Sequence, residues 1–345
     1  MDKKNPKVLI ALSGGVDSAV AAALLKKQGF DTAGVFFVFG PWGEKTADVR
    51  NIAKKIGIPL EVIDARKQFR EKIIDYFIES YKKNITPNPC IVCNKEMKFG
   101  LMFELLKKHK ADFIATGHYA KKVKIFKKSF YKLCESYDKQ KDQSYFLHKL
   151  TQKQLAKIIF PLGELEKREV KKIAKKMHIP VDANKESMDV CFLQGIGIND
   201  YLKKYLKAKP GNIVDEEGNI LGKHRGLPFY TFGQRKGLAI GGEGPYFVVG
   251  KNSRRNELVV SNNPKKLLKK SFFLAEANWI RPDLKFPLRA RAQVRYHTEK
   301  IPAIIKKTEK NFEVVGEKNF PAPTPGQSAV FFNKDEVLGG GVIQE

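Results

Sequence analysis

Six residues near the start of the chain, at positions 13–18, have types and spacing suited to binding a phosphate group. They read Ser-Gly-Gly-Val-Asp-Ser and follow a short apolar run at residues 8–12 that indicates a buried strand. Glycines here let backbone N–H groups approach a phosphate closely, and the N-terminus of a following helix adds positive potential. We expect Asp17 and Ser18 to open that helix as cap and first-turn residues. The stretch predicts an anion site of the strand–turn–helix kind without the Gly-Lys-Ser/Thr ending of a Walker loop.

Three of the four cysteines form a second group with reactive side chains. Cys90 and Cys93 make a Cys-x-x-Cys pair that follows a proline-rich turn, and Cys191 lies far along the chain. We expect Asn94 to cap the next helix, which places Cys93 near a helix N-terminus with Lys95 close by, and both features lower the pKa of a thiol. Three such residues suit a structural zinc, an iron–sulfur cluster with one open iron, or a nucleophile and a persulfide carrier.

The segments that must position these residues alternate between strand and helix patterns. Strands are predicted at 8–12, 32–39, 60–64 and 113–116, and helices at 18–28, 47–56, 69–82, 99–109, 152–159 and 167–177. This alternation predicts an α/β domain with a parallel sheet covered on both faces. The phosphate-binding turn then lies at the carboxyl end of the first strand, where such sheets bind ligands.

Beyond about residue 205 the pattern changes to short strands separated by turn signals such as Pro210-Gly211. Alternating segments at 290–296, 303–307, 312–315, 329–332 and 341–343 predict a small β-barrel. We therefore expect three domains: the α/β domain at 1–207, a small linking domain at 208–272 and a C-terminal β-barrel at 273–345.

Charge and composition restrict the partners. Lysine and arginine number 64 against 37 acidic residues, a net charge of +27, which favours nucleic acid as a partner unless a generally lysine-rich proteome causes the excess. Apolar runs stay well short of the ~20 residues of a membrane span, and the first strand begins too early for a signal peptide. Four cysteines are too few for a disulfide framework. We expect a cytoplasmic protein.

Ser-Gly-Gly-Val-Asp-Ser resembles the pyrophosphate loop (PP-loop) of N-type ATP pyrophosphatases, which cleave ATP between the α- and β-phosphates and adenylate a carbonyl oxygen. Over nearly its whole length the chain also resembles the tRNA-specific 2-thiouridylase (MnmA) family. The stretches that carry this second resemblance are Pro-Asn-Pro-Cys-Ile-Val-Cys-Asn at 87–94, Ala-Thr-Gly-His-Tyr at 115–119, Lys-Asp-Gln-Ser-Tyr-Phe-Leu at 141–147, Phe-Pro-Leu-Gly at 160–163, Ser-Met-Asp-Val-Cys-Phe at 187–192, Tyr-Thr-Phe-Gly-Gln-Arg-Lys-Gly-Leu at 230–238, Arg-Tyr at 295–296 and Thr-Pro-Gly-Gln-Ser-Ala-Val at 324–330.

The resemblance implies ATP-dependent 2-thiolation of the wobble uridine in the anticodon stem-loop of tRNA, with AMP and pyrophosphate as products. It implies a nucleotide site made of Ala11, Leu12, Ser13, Gly14, Gly15, Val16, Asp17, Ser18, Phe37 and Gly117, with Asp17 near Mg²⁺. It places the target base at Asn88, Pro89 and Cys90, and further tRNA contacts at His118, Lys141, Asp142, Gln143, Arg295, Tyr296 and Gln327. Cys93 would be the nucleophile, and Cys191 would carry a persulfide supplied by a cysteine desulfurase or a sulfur-relay protein.

One position departs from the family pattern. Many members carry Asp where this chain has Cys90, so the general acid/base role of that carboxylate is unassigned here. The change creates three thiols that resemble the ligands of a [4Fe–4S] cluster in other tRNA thiolases of the superfamily. Two routes stay open: a persulfide route that ends in a Cys93–Cys191 disulfide, and a route through sulfide on the open iron of a cluster.

Two other readings of the chain predict different features. Another PP-loop adenylating ligase or amidotransferase would need neither reactive cysteines nor a basic surface. A non-catalytic RNA-binding protein would explain the charge but leave the PP-loop unexplained. The motifs oppose both readings.

Overall fold

The computed structural model describes residues 5–40, 44–125, 130–182, 190–193, 195–238, 240–241 and 245–344. The strands are β1 (Lys7–Ala11), β2 (Asp31–Val38), β3 (Leu60–Asp64), β4 (Phe113–Ala115), β5 (Lys121–Ile125), β6 (Phe130–Cys134), β7 (Ile158–Ile159), β8 (Gly211–Val214), β9 (Ile220–His224), β10 (Phe247–Asn252), β11 (Glu257–Ser261), β12 (Leu268–Trp279), β13 (Leu288–Gln293), β14 (Ile301–Lys307), β15 (Phe312–Pro321), β16 (Ser328–Asn333) and β17 (Glu336–Gln344). The helices are α1 (Val16–Lys27), α2 (Glu44–Ile56), α3 (Arg66–Phe69), α4 (Asp75–Lys82), α5 (Pro89–Val92), α6 (Gly100–Lys108), α7 (Gln152–Lys157), α8 (Lys167–Lys176) and α9 (Ile198–Lys203). In the part of the chain that the structure describes, no helix is long and apolar enough to cross a membrane.

The α/β domain is built on a parallel five-stranded sheet in the order β3-β2-β1-β4-β7. Side chains of β1 alternate between two apolar clusters, with Leu9 in one and Val8 and Ile10 in the other. Because a strand sends successive side chains to opposite faces, both faces of the sheet are buried. The predicted parallel α/β fold is confirmed.

Two local expectations for this domain were wrong. The helix expected at 152–159 ends at Lys157, because Ile158 and Ile159 pair with β4 as the edge strand β7. Asn94 does not cap a helix: α5 already begins at Pro89, and Asn94 lies buried in the π-helical segment Cys93–Phe99 that joins α5 to α6. Its amide donates to the Phe146 carbonyl at 3.3 Å.

The linking region contains the four-stranded sheet β10-β11-β8-β9. After it, β12, β15, β14, β13, β16 and β17 pair in that order, and β12 also pairs with β17. The pairing closes a six-stranded barrel around apolar side chains that include Phe272, Ile305, Phe320 and Phe331. The predicted barrel is confirmed.

A hairpin that the sequence patterns missed joins the first domain to the barrel. β5 pairs with β6, and β6 pairs with β17 through Leu133 opposite Val337 and Cys134 opposite Glu336. The Glu336 carboxylate, only 3% exposed, lies 2.9 Å from Lys132 Nζ and 3.6 Å from an Arg281 nitrogen. The α/β domain and the barrel therefore share one sheet and one largely buried ion-pair cluster.

Candidate active site

The PP-loop turn joins β1 to α1, and hydrogen bonds of its own two serines stabilise it. Ser13 N donates to Ser18 Oγ at 3.0 Å, and Ser18 Oγ donates to the Gly15 carbonyl at 3.1 Å. Gly14 takes φ +80°, a conformation that favours glycine. The helix begins at Val16, so the cap position falls to Gly15, and Asp17 and Ser18 both lie in the first turn rather than capping it.

Gly117, which follows β4, lies against the first turn of α1. A Cβ at Gly117 would come within 2.7 Å of Ser18 N, so only glycine lets these two backbones approach. Ala11 ends β1, and Leu12 N donates to the Val35 carbonyl on β2 at 2.8 Å. Phe37 is buried near the end of β2. The structure thus brings the residues expected in the nucleotide site together at the carboxyl edge of the sheet, the usual ligand position in such folds.

Asp17 is held by Lys167, which the sequence analysis did not single out, and by Tyr119, which ends the stretch 115–119 but was given no role there. Lys167 Nζ lies 2.6 and 2.7 Å from the two carboxylate oxygens, and Tyr119 Oη donates to Oδ1 at 2.8 Å. Lys167 is the first residue of α8, and its side chain is only 12% exposed. Its one sequence signal is its place at the start of a predicted helix, which many lysines share.

Asp17 could hold Mg²⁺ only once Lys167 has moved away. A metal would need a carboxylate oxygen, and the Lys167 ammonium lies within 2.7 Å of both of them. Among the residues that the structure describes, no group of three or more His, Cys, Asp or Glu side chains is placed to hold a metal ion. The cation beside Asp17 is therefore Lys167.

The cysteines differ in exposure. Cys93 is buried, whereas Cys90 and Cys191 are exposed. Desolvation raises the pKa of Cys90 and Cys93, Lys98 lowers it by a smaller amount, and Cys191 raises it further. Burial raises the pKa of the Cys93 thiol to about 12, although nearby Lys98 favours the thiolate. The expected lowering of that pKa was wrong in sign, because desolvation of a buried thiol outweighs the cation.

These cysteines do not fit a [4Fe–4S] cluster as they stand. A cluster needs its thiolate ligands grouped together, and these cysteines do not form a metal-binding group within the described residues. Of the motif at 187–192, residues 187–189 lie outside the described residues, so only Val190, Cys191 and Phe192 are placed.

His118 connects the cysteine segment to the PP-loop. It follows Gly117, its ring stacks on Phe99 with centroids 5.8 Å apart, and its Nδ1 lies 2.8 Å from Thr116 Oγ1. Burial, with a smaller contribution from Lys98, holds the pKa of His118 well below its usual value, so the ring is neutral. Lys98 therefore acts on His118 and on Cys93 alike.

The turn at 141–143 packs beside Tyr119. Gln143 exchanges hydrogen bonds with Tyr119, its N donating to the Tyr119 carbonyl at 2.8 Å and its Oε1 accepting from Tyr119 N at 3.1 Å. The buried Asp142 carboxylate accepts from Ser136 N and Ser144 Oγ, both at 2.7 Å. Lys141 is half-buried. Asp142 and Gln143 thus hold the turn in place.

The three barrel residues that the resemblance assigns to tRNA contact the rest of the chain. Arg295 donates to the Phe232 carbonyl at 3.1 Å. Tyr296 Oη donates to the Asp142 carbonyl at 2.7 Å. Gln327 Nε2 donates to the carbonyls of Thr86 and Pro87 at 3.1 and 2.9 Å. Arg295 thus joins the barrel to the linking region, Tyr296 joins it to the turn at 141–143, and Gln327 joins it to the segment that leads to Asn88.

This arrangement connects an anion site to the helical segment that carries Cys93. The N-terminus of α1 and Lys167 supply positive potential for phosphates. Gly117 touches that site, and His118 stacks on the helical segment that begins at Cys93. Chemistry that couples a nucleotide to sulfur is therefore feasible at one edge of the sheet.

Comparison with known proteins identifies the family. Three family models match: tRNA methyl transferase HUP domain over residues 6–195, tRNA methyl transferase PRC-barrel domain over 199–262, and aminomethyltransferase beta-barrel domain over 269–343. The tRNA-specific 2-thiouridylase MnmA of Clostridioides difficile (strain 630) is 41% identical, over 99% of this chain and 99% of that one. The protein of the same name from Bacillus subtilis (strain 168) is 38% identical, over 100% and 97%. With such identity along the whole chain, and with a PP-loop, cysteines and barrel in the expected order, the protein belongs to the MnmA family of tRNA-specific 2-thiouridylases.

Proposed function

We propose that this tRNA 2-thiouridylase acts on the wobble uridine of the anticodon, activating its C2 oxygen with AMP from ATP and replacing that oxygen with sulfur from Cys191. The observation that carries the proposal is the placement of Gly117 and His118. The first lies against Ser18 of the PP-loop, and the second stacks on Phe99 at the end of the segment that begins with Cys93. Nucleotide and thiol chemistry can therefore meet at one uracil ring.

Activation is needed because the C2 oxygen of uracil is a poor leaving group. In the proposed first step, O2 attacks the α-phosphorus of ATP, an O–P bond forms, and pyrophosphate leaves with the electrons of the broken P–O bond. The uracil loses its N3 proton to water in this step and regains a proton there when sulfur replaces the oxygen. The N-terminus of α1 and Lys167 would hold the phosphates, with Lys167 turning from Asp17 toward them. Each adenylated uridine then has AMP as its leaving group.

Sulfur transfer balances through the two cysteines. The terminal sulfur of a Cys191 persulfide attacks C2, the C2–O bond breaks, and AMP leaves. The Cys93 thiolate then attacks Sγ of Cys191, which forms a Cys93–Cys191 disulfide and leaves the sulfur on uridine. In the variant order, Cys93 attacks first and the freed sulfide attacks C2. Either order ends in a disulfide that a dithiol must reduce before the next turnover.

The exposure of the cysteines supports these roles. Cys191 is exposed, so a cysteine desulfurase or a sulfur-relay protein can reach it. Cys93 is buried, so it can act only on a sulfur already delivered into the site. The net charge of +27 suits a tRNA partner. We propose a cytoplasmic location, where such a substrate is made and used.

The test is a reconstituted reaction with tRNA, ATP and a small persulfide donor. We expect AMP, pyrophosphate and 2-thiouridine in equal amounts from the wild-type protein. Cys93→Ser and Cys191→Ser should yield no 2-thiouridine, although the adenylation step, which uses neither thiol, can still release pyrophosphate. Cys134→Ala is the matched control, because Cys134 is a buried cysteine on β6 whose thiol no proposed step uses. Release of ADP and phosphate, or thiolation by the Cys191 variant, would contradict the proposal.

A further inference from the structure

The chain segment at 85–88 lies in the link between α4 and α5, and a barrel residue holds it. Two successive carbonyls of this segment, those of Thr86 and Pro87, accept hydrogen bonds from Gln327 Nε2 at 3.1 and 2.9 Å. A primary amide has two N–H donors, so both donors of Gln327 are engaged. The backbone of Gln327 is itself fixed, because its carbonyl accepts from Ile343 N on β17 at 2.8 Å. The barrel wall therefore anchors the segment directly.

The neighbours of Gln327 fix the same segment. A Cβ at Gly326, where φ is +89°, would lie 2.2 Å from Ile85 Cγ2 and 2.7 Å from the Thr86 oxygen. Only glycine therefore lets this barrel turn approach the segment so closely. Tyr145, which is buried, donates from Oη to the Ser328 carbonyl at 2.8 Å and lies beside the Asn88 side chain. Both ends of the segment therefore rest on the turn at 326–328.

The residues that Gln327 holds lie just before the reactive cysteine in the chain. Asn88 is the N-cap of α5, Cys90 lies in α5, and Cys93 begins the next helical segment. Because a helix is stiff, a displacement of its N-cap moves every residue in its first two turns. An error of 1 Å in the placement of reacting atoms can cost about 100-fold in rate.

We propose that Gln327 is a positioning residue for sulfur transfer, acting through the carbonyls of Thr86 and Pro87 to place Cys93. The proposal rests on the role given to Cys93 above. It makes the barrel part of the thiolation step and not only a surface for tRNA. A direct contact between Gln327 and tRNA would need at least one of these two amide bonds to be given up.

The test is Gln327→Met, which keeps the length of the side chain and removes both donors. Its matched control is Gln293→Met, because Gln293 is also a barrel glutamine whose Nε2 donates to a carbonyl, that of Thr298 at 2.8 Å, but within the barrel. Three quantities are measured for each: kcat at saturating tRNA, Kd for tRNA at fixed salt, and the rate at which iodoacetamide alkylates Cys93.

We expect Gln327→Met to lower kcat by about 10- to 100-fold and to change the alkylation rate of Cys93. The Kd for tRNA should stay within about twofold of the wild-type value. The control Gln293→Met should change none of the three quantities. A raised Kd with unchanged kcat would overturn the proposal and make Gln327 an RNA contact. If Gln327→Met does not fold, Gln327→Asn, which only withdraws the amide, is judged by the same criteria. Failure of wild-type protein to thiolate would instead refute the proposed function.

Discussion

Replacing Lys167 with methionine is the sharpest test of the anion site. The ammonium lies 2.6 and 2.7 Å from the oxygens of Asp17, with side chains 12% and 33% exposed. Removing one partner of a fully buried pair costs about 3–5 kcal/mol. Asp17 keeps contact with solvent and with Tyr119, so we expect the free energy of unfolding to fall by only about 1–2 kcal/mol.

The effect on activity should be larger than the effect on folding. If Lys167 moves to the phosphates, the variant lacks one charge-assisted hydrogen bond, which contributes about 1.5–3 kcal/mol. The kcat/KM for ATP should then fall about 10- to 100-fold. The double variant Asp17→Asn/Lys167→Met separates the two effects: it should recover most of the lost stability, since no carboxylate is left without its cation, while activity stays low.

The assay is pyrophosphate release with saturating tRNA and varied ATP, together with urea unfolding of each variant. Lys172→Met is the control, because Lys172 is an exposed lysine on the same helix α8. If Lys167→Met keeps its kcat/KM for ATP within twofold of wild type, Lys167 serves only as the counter-ion of Asp17 and the assignment fails.

Three further predictions concern the cysteines and the RNA. Burial raises the pKa of Cys93 to about 12, and only the thiolate attacks. The rate of a single turnover with persulfide loaded on Cys191 should therefore rise about tenfold per pH unit between about pH 7 and 9. A rate that does not change with pH would show that deprotonation of Cys93 is not limiting. If protein purified without air contains no iron, Cys90→Asp should keep or raise the rate of thiolation. The cluster route would instead be established if the wild-type protein contains about four irons per chain and Cys90→Asp loses both the iron and the activity. With a net charge of +27, log Kd for tRNA should rise linearly with log salt, and filter binding that shows no salt dependence would contradict an electrostatic RNA surface.

The features that the sequence predicted well are set by local patterns. The apolar run of β1, the glycines of the turn and the alanine-rich helix α1 specify strand, turn and helix within one continuous stretch. Alternating apolar residues likewise identify the barrel strands. Each of these signals is complete in a window of a few residues, so no knowledge of distant contacts was needed.

The features that it missed depend on residues far apart in the chain. Lys167 meets Asp17 across 150 positions, and Gln327 meets Thr86 across 241. Lys167 has no local signal beyond its place at the start of a predicted helix. Gln327 lies in a stretch that resembles the family, but nothing near it in the sequence indicates Thr86 as its partner. The sign of the pKa shift at Cys93 failed for a similar reason: a nearby lysine is visible in sequence, whereas the burial that outweighs it comes from the packed fold.

The pairing of β6 with β17 has a consequence for how the protein is made. β6 belongs to the α/β domain in chain order, but its outer edge is covered by the barrel strand β17. Until that strand leaves the ribosome, the nascent first domain presents an open strand edge that carries Leu133 and Cys134, a template for pairing with other chains. The first domain is therefore synthesised before the strand that covers this edge is available. A fragment that ends before the barrel should be prone to aggregate, even though its own five-stranded sheet is complete.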